Sequence, residues 1–329
     1  MSKSRLLACS KILMSVLVLA ALAPSPARAL LGTPQEIESV GVGSAPGAVA
    51  HDPLTRRVFV GNTGSGTVST IDERTLRVVA TTSVGPAPHG LVVDPLRGRV
   101  YVAVGETNRV AILNSRTGAV AQAPIVIPQC TGPTGAWGMA HNPVTNILYV
   151  ACYSANVLVS LNASSGTLIR AVGTGGGPLG LAVDPVTNRV WLGMIGEQSI
   201  RVLDGATLAT TGSVPTPAGV WGLAFDSIRG RVFAANFLTG TITVIRGTSV
   251  LSVYGGFSGP EWISFDPVSN MVWVPEFTSP SRVSGLDART GLVTPVAISG
   301  SKPTATTATP TGRVYSANFG NLSVSVISG

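Results

Sequence analysis

Apolar and polar positions alternate in short runs along most of the chain, and the runs come in pairs around a turn. Residues 180–193 read GLAVDPVTNRVWLG, and residues 90–103 read GLVVDPLRGRVYVA. The phrase occurs seven times, with its turn anchored at Asp52, Asp94, Asn142, Asp184, Asp226, Asp266 and Thr309. Successive spacings are 42, 48, 42, 42, 40 and 43 residues. Self-similarity at this period points to a propeller or a solenoid. Within each phrase Asp can bond the backbone just ahead of it, and the following Pro presets φ. Four residues after the anchor stand Gly98, Asn146, Asn188, Gly230 and Asn270, types that tolerate the positive φ of a tight hairpin; Gly312 serves the shortened last unit. Arg56 holds that place in the first unit and is expected to be strained.

Each hairpin is followed by two further strand-like runs, as at residues 67–71 and 77–81, and no helix-length amphipathic segment intervenes. Four short antiparallel strands in about 42 residues make one propeller blade. The last unit has only three strands before the chain stops, and a spare run, residues 36–40, precedes the first unit. The expectation is an all-β, seven-bladed β-propeller whose last blade is closed by the N-terminal strand, which removes two exposed edges. The repeats fall near residues 41–84, 85–127, 128–172, 173–214, 215–254, 255–299 and 300–329.

The pattern P-x-G-(L/V)-x-V-D-P-x-(T/S)-(N/G)-R-V-(Y/W/F)-V-(A/G)-N, followed by (S/T)-V-I-D, resembles the YVTN-type β-propeller repeat over nearly the whole of residues 30–329. The resemblance implies the fold. It leaves function open, because surface proteins, binding proteins and enzymes share the repeat.

The N-terminus has the layout of an export signal. Lys3, Arg5 and Lys11 precede an apolar run at 12–23, and Ala27-Arg28-Ala29 matches a cleavage site, so residues 1–29 are expected to be removed. The run is short for a membrane span, and Cys9 precedes it, out of place for a lipid-modified cysteine. The expected protein is periplasmic or secreted, monomeric and without a transmembrane anchor. The segment holds four cations and no acid, so the whole-chain charge of +7 drops to +3 on its removal. The remaining arginines are scattered and form no basic stripe, which disfavours nucleic acid as a partner. Cys130 and Cys152 both fall in the third unit, which carries the 48-residue spacing. Their places in the extra residues leading into the first strand and at the end of the second put them on one face, and an oxidising compartment would let them pair; two unpaired thiols are the alternative.

Comparison among the seven units separates frame from candidate chemistry. Phe59, Tyr101, Tyr149, Trp191, Phe233, Trp273 and Tyr315 recur at one position and read as packing. Five residues before the anchor the units disagree, with Gly47, His89, Trp137, Leu179, Trp221, Glu261 and Thr304. These residues open the innermost strands and should ring one mouth of the central channel, a usual place for ligands. At the next position Trp262 replaces the Gly or Ala of the other units. Glu276, after Pro275, replaces the Asn seen at Asn62, Asn236 and Asn318. A carboxylate pair beside an indole suits binding of a cation or a sugar, or acid–base work. The candidate ligand-binding residues are therefore His89, Trp137, Trp221, Glu261, Trp262 and Glu276.

Other motifs fail on context. Residues 175–180 match G-x-G-x-x-G but lead into a strand, and residues 299–302 match S-x-x-K within a loop. No C-x-x-C-H occurs, and His51 and His141 read as half-buried structural side chains. No histidine cluster has metal spacing, and no cofactor or metal is expected. The leading functional expectation is a non-catalytic binding or scaffold protein whose partner is a protein, glycan or small molecule at the channel mouth. A metal-assisted lyase or lactonase, similar to streptogramin lyase or gluconolactonase, would draw its ligands from Glu261, Glu276, Asn62, Asn236, Asn318 and His89. A third possibility, similar to a property within the YVTN group, is single-stranded DNA stacking on Trp137, Trp221 and Trp262.

Overall fold

The structure is a computed structural model that describes residues 32–328. The proposed signal segment, 1–29, lies outside the described residues. Seven four-stranded antiparallel sheets form seven blades in a closed ring. The first blade runs outward through Pro46–Asp52, Arg57–Asn62, Thr67–Asp72 and Arg77–Ser83. Blades two to seven begin with inner strands Pro88–Asp94, Ala136–Asn142, Pro178–Asp184, Val220–Asp226, Ser264–Asp266 and Pro303–Ala308. The N-terminal strand Gln35–Gly41 pairs antiparallel with Ser323–Ser328 as the outer strand of blade seven. This pairing joins the two ends of the chain, covers the open edge of Ser323–Ser328 and closes the ring.

The hairpin chemistry operates as the sequence suggests. Asp52, Asn142, Asp184, Asp226 and Asp266 each accept the backbone N–H two residues ahead at 2.8–2.9 Å. The residues four after the anchor have φ between 53° and 62° in blades one to six, Arg56 among them at 53°. A β-carbon in that region is disfavoured, so Arg56 carries strain that its Gly counterparts avoid.

The hydrophobic core is distributed between neighbouring blades. One cluster joins Tyr101, Val110 and Ile112 of blade two to Met139, Leu148 and Val150 of blade three. The recurring aromatics are buried in these seams, and three reach across to the next blade. Tyr101 Oη donates to Ala163 O (2.8 Å), Tyr149 Oη to Gly205 O (2.9 Å), and Trp191 Nε1 to Gly247 O (3.1 Å). Each such ring fills a seam and also satisfies its polar atom, as burial of Tyr or Trp requires.

Cys130 and Cys152 are joined in a disulfide, with Cα atoms 4.8 Å apart, and both are buried. The bond ties the long lead-in of blade three to the end of its second strand, Ile147–Cys152. Closing this loop is expected to contribute about 3 kcal/mol, chiefly by restricting the unfolded chain. The Cys130→Ala/Cys152→Ala protein should therefore unfold at lower denaturant concentration with a similar cooperativity. An unchanged midpoint would show that the bond contributes nothing.

Candidate ligand-binding face

Antiparallel order places two kinds of loop at one end of every blade: the link into the inner strand and the turn between second and third strands. Backbone hydrogen bonds join them, as from Thr63 N to Ala45 O and from Gly105 N to Ala87 O. The variable residues lie at this end, and a local backbone feature aims them. In six blades the inner strand slips register against the second strand, between Pro46 and Ala48 in blade one and between Pro88 and Gly90 in blade two, with equivalents in blades three, four, five and seven. Gly47, His89, Trp137, Leu179, Trp221 and Thr304 fall inside these bulges. A bulged residue leaves the ladder and re-aims its side chain, which explains why this position is free to vary.

Blade six carries the irregularity furthest. Its inner strand pairs regularly only over Ser264–Asp266, preceded by an isolated bridge from Pro260 to Glu276. Pro275 stands opposite the unpaired part and brings no N–H to the ladder. The freed segment bonds to blade seven instead. Trp262 N donates to Thr304 O (2.9 Å), and Thr306 N donates to Trp262 O (3.0 Å). The Trp262 indole extends to the inner strand of blade three, where its Cη2 would lie 3.5 Å from a β-carbon placed on Gly138. An indole on blade six that meets blade three spans the channel.

Glu261 is 5% exposed. Burial alone pushes its carboxyl up to about 8, with no hydrogen bond or charged neighbour acting against it. Glu276 is fully buried and differently placed. Its oxygens accept from Ser258 N (2.8 Å), Arg282 Nε (2.8 Å) and Ser284 Oγ. It does for blade six what the asparagines do elsewhere: Asn62 Nδ2 donates to Ser69 Oγ (2.9 Å), and Asn236 Nδ2 to Thr243 Oγ1 (2.8 Å). Glu276 and these amides thus bond within their own blades, and only Glu261 of the carboxylate pair has no partner. Among the described residues no group of three His, Cys, Asp or Glu side chains is arranged to hold a metal ion.

Burial pushes the His89 imidazole down to about 4, and its ring stacks on Trp137 with centroids 4.1 Å apart and planes 11° from parallel. Trp137 in turn meets Tyr153 at 5.4 Å. A second aromatic arc covers blades five to seven. Trp221 lies 5.0 Å from Phe237, Phe237 6.2 Å from Phe277, and Phe277 6.4 Å from Phe319, with Lys302 Nζ 5.6 Å over Phe277. Sequence reasoning missed Tyr153, Phe237, Phe277 and Phe319. The signal was present: the residue just after the second strand also varies, through Thr63, Gly105, Tyr153, Ile195, Phe237, Phe277 and Phe319. His89, Trp137, Trp221, Glu261 and Trp262 therefore share one face, joined by a second ring of aromatics at the loops.

Fold and face together define a closed seven-bladed β-propeller with an aromatic-rimmed channel mouth. No family model matches the chain, the YVTN-type repeat included, and no curated protein matches it. Among solved structures, the chain is similar to one of hydrazine synthase from Kuenenia stuttgartiensis. The match has a TM-score of 0.75 at 17% identity and covers 87% of this chain and 96% of that one. At this identity the likeness shows the propeller fold alone.

Removing the channel-spanning indole should separate site from scaffold. Trp262→Gly restores the residue type of the sibling blades, and the backbone bonds to Thr304 and Thr306 do not need the side chain. The expected loss is below about 2 kcal/mol, less than the ~3–5 kcal/mol of truncating a fully packed aromatic. Thermal melting of the purified variant checks this, and global unfolding would make the indole a core element.

Proposed function

We propose that this protein is an exported binding protein that takes a ligand at the aromatic channel mouth. The observation that carries the reading is the concentration of half-buried aromatic side chains on one face, at the two positions where the repeat abandons its own rule. Buried frame aromatics recur in every blade, whereas Trp137, Tyr153, Trp221, Phe237 and Phe277 occur only around part of the mouth, each partly open. Local departure from a repeated pattern is expected at functional sites. Aromatic faces with a few polar groups are the usual lining of small-molecule sites. The export half of the proposal rests on the charge, apolar run and A-x-A pattern of residues 1–29, and the Cys130–Cys152 bond suits an oxidising compartment.

Saturation-transfer NMR with a fragment set of aromatic, saccharide and amine compounds tests the site. Binders are expected to lose their signal with the Trp137→Ala/Trp221→Ala protein. If every binder is indifferent to that change, or none is found, the mouth is not the ligand site.

A further inference from the structure

Glu261 is the one carboxyl of the blade-six cluster without a partner. It is buried, it stands beside the bulge of blade five, and no cation of the described residues bonds it. An ideal β-carbon on Gly222, the residue after Trp221, would lie 2.3 Å from Glu261 O, so the backbone at Glu261 and Trp262 lies against the bulge of blade five. Of the charged groups packed around it, blade six contributes Glu276 and Arg282, which bond each other at 2.8 Å. Blade seven contributes Lys302, which lies over Phe277 and forms no ion pair. The mouth loops of blade five, residues 216–219 and 237–240, carry no charge, nor do residues 256–260 leading into blade six. Across the channel, His89 is neutral at pH 7.

Resting on the mouth-site reading, we propose that the ligand carries an organic ammonium group, seated against the Glu261 carboxylate and faced by the indoles of Trp221 and Trp262. The chemistry follows from three features. A buried carboxylate needs a positive partner once it is ionised, and no cation among the described residues pairs with it. Indole faces attract a cation through the ring quadrupole, most strongly where water is excluded. A bulky ammonium fits both at once, because its alkyl surface meets the rings while its charge faces the acid. A neutral ligand would use the rings and leave the carboxyl in the protonated form that burial favours. Cation binding must therefore displace the Glu261 proton, which makes affinity rise with pH up to about 8.

Choline and its neutral isostere 3,3-dimethyl-1-butanol distinguish these cases, titrated by calorimetry and tryptophan fluorescence from pH 6 to pH 9. Choline is expected to bind at least about tenfold more tightly than the isostere at pH 8, a difference worth one decade of Kd. Glu261→Gln should remove that preference, and its choline affinity should lose the pH dependence. Equal binding of the two probes overturns the proposal, as does an undiminished choline preference in Glu261→Gln or a lack of choline binding. If the neutral fragments still compete at Trp137 and Trp221, the ammonium assignment fails alone and the mouth site stands. If nothing maps to those tryptophans, both fail.

Discussion

Glu261→Gln is expected to stabilise the folded protein at pH 9 and to change its stability little at pH 4. Burial raises the folded-state pKa to about 8, above the ordinary glutamate value of 4.5. An acid raised in this way favours folding fully below the unfolded pKa, where both states are protonated and the buried group is neutral. That contribution is lost as pH rises from about 4.5 through about 8, because the unfolded chain releases its proton first. Above pH 8 the folded protein must hold an unpaired charge beneath the surface. The full difference is on the order of 3–5 kcal/mol, and glutamine, which cannot ionise, escapes it. Denaturant titrations of both proteins at pH 4, 7 and 9 check the sign. The gap should widen with pH, and a gap that stays constant would mean that Glu261 keeps its charge solvated.

Glu276→Ala is expected to act in the opposite direction and about as strongly. This carboxylate is fully buried and receives Arg282, Ser284 and the Ser258 amide. Its removal leaves the Ser258 amide and the Ser284 hydroxyl unsatisfied inside blade six and costs Arg282 its carboxylate, though Gly256 O still accepts from the guanidinium. Each buried donor left without an acceptor costs about 1–3 kcal/mol, and the guanidinium, 28% exposed, adds little because water reaches it. The unfolding midpoint should fall accordingly at neutral pH. Because the bond network lies within one blade, Glu276→Gln should recover part of the loss through the amide oxygen. If both variants melt like the parent, the network is not a support of blade six. The two glutamates, fifteen residues apart, thus have opposite stability effects, a contrast invisible in composition and set by whether hydrogen-bond donors surround the carboxyl.

Much of the fold was legible because the sequence states the same local rule seven times. Asp or Asn at the anchor, a residue that tolerates positive φ four places on, and alternating apolar runs specify a hairpin from local physics alone. Ring closure was also legible, since a missing strand at one end and a spare strand at the other leave one simple pairing. Asking where siblings disagree picks out His89, Trp137, Trp221, Glu261 and Trp262, which the structure places on one face of the ring. Tyr153, Phe237, Phe277 and Phe319 stand one residue past the second strand, outside the hairpin phrase, and only the closed ring brings them beside the bulged positions.

What the sequence by itself determined is the repeat, the hairpins, the blade count and the residues that break the pattern, because each follows from interactions between residues close in the chain. Only the tertiary structure decided which pattern-breakers are free. Glu261 and Glu276 looked equivalent on paper, yet Arg282 and Ser284 arrive at Glu276 from the third strand of the blade, Arg282–Asp287, and none arrives at Glu261. Trp262 looked like a misfit in a small slot. The ring as a whole turns its backbone onto blade seven and brings its indole to blade three. Such contacts join residues from 42 positions apart, Trp262 and Thr304, to 124 apart, Gly138 and Trp262, and no local rule encodes them: they exist only once seven blades have closed around a shared axis.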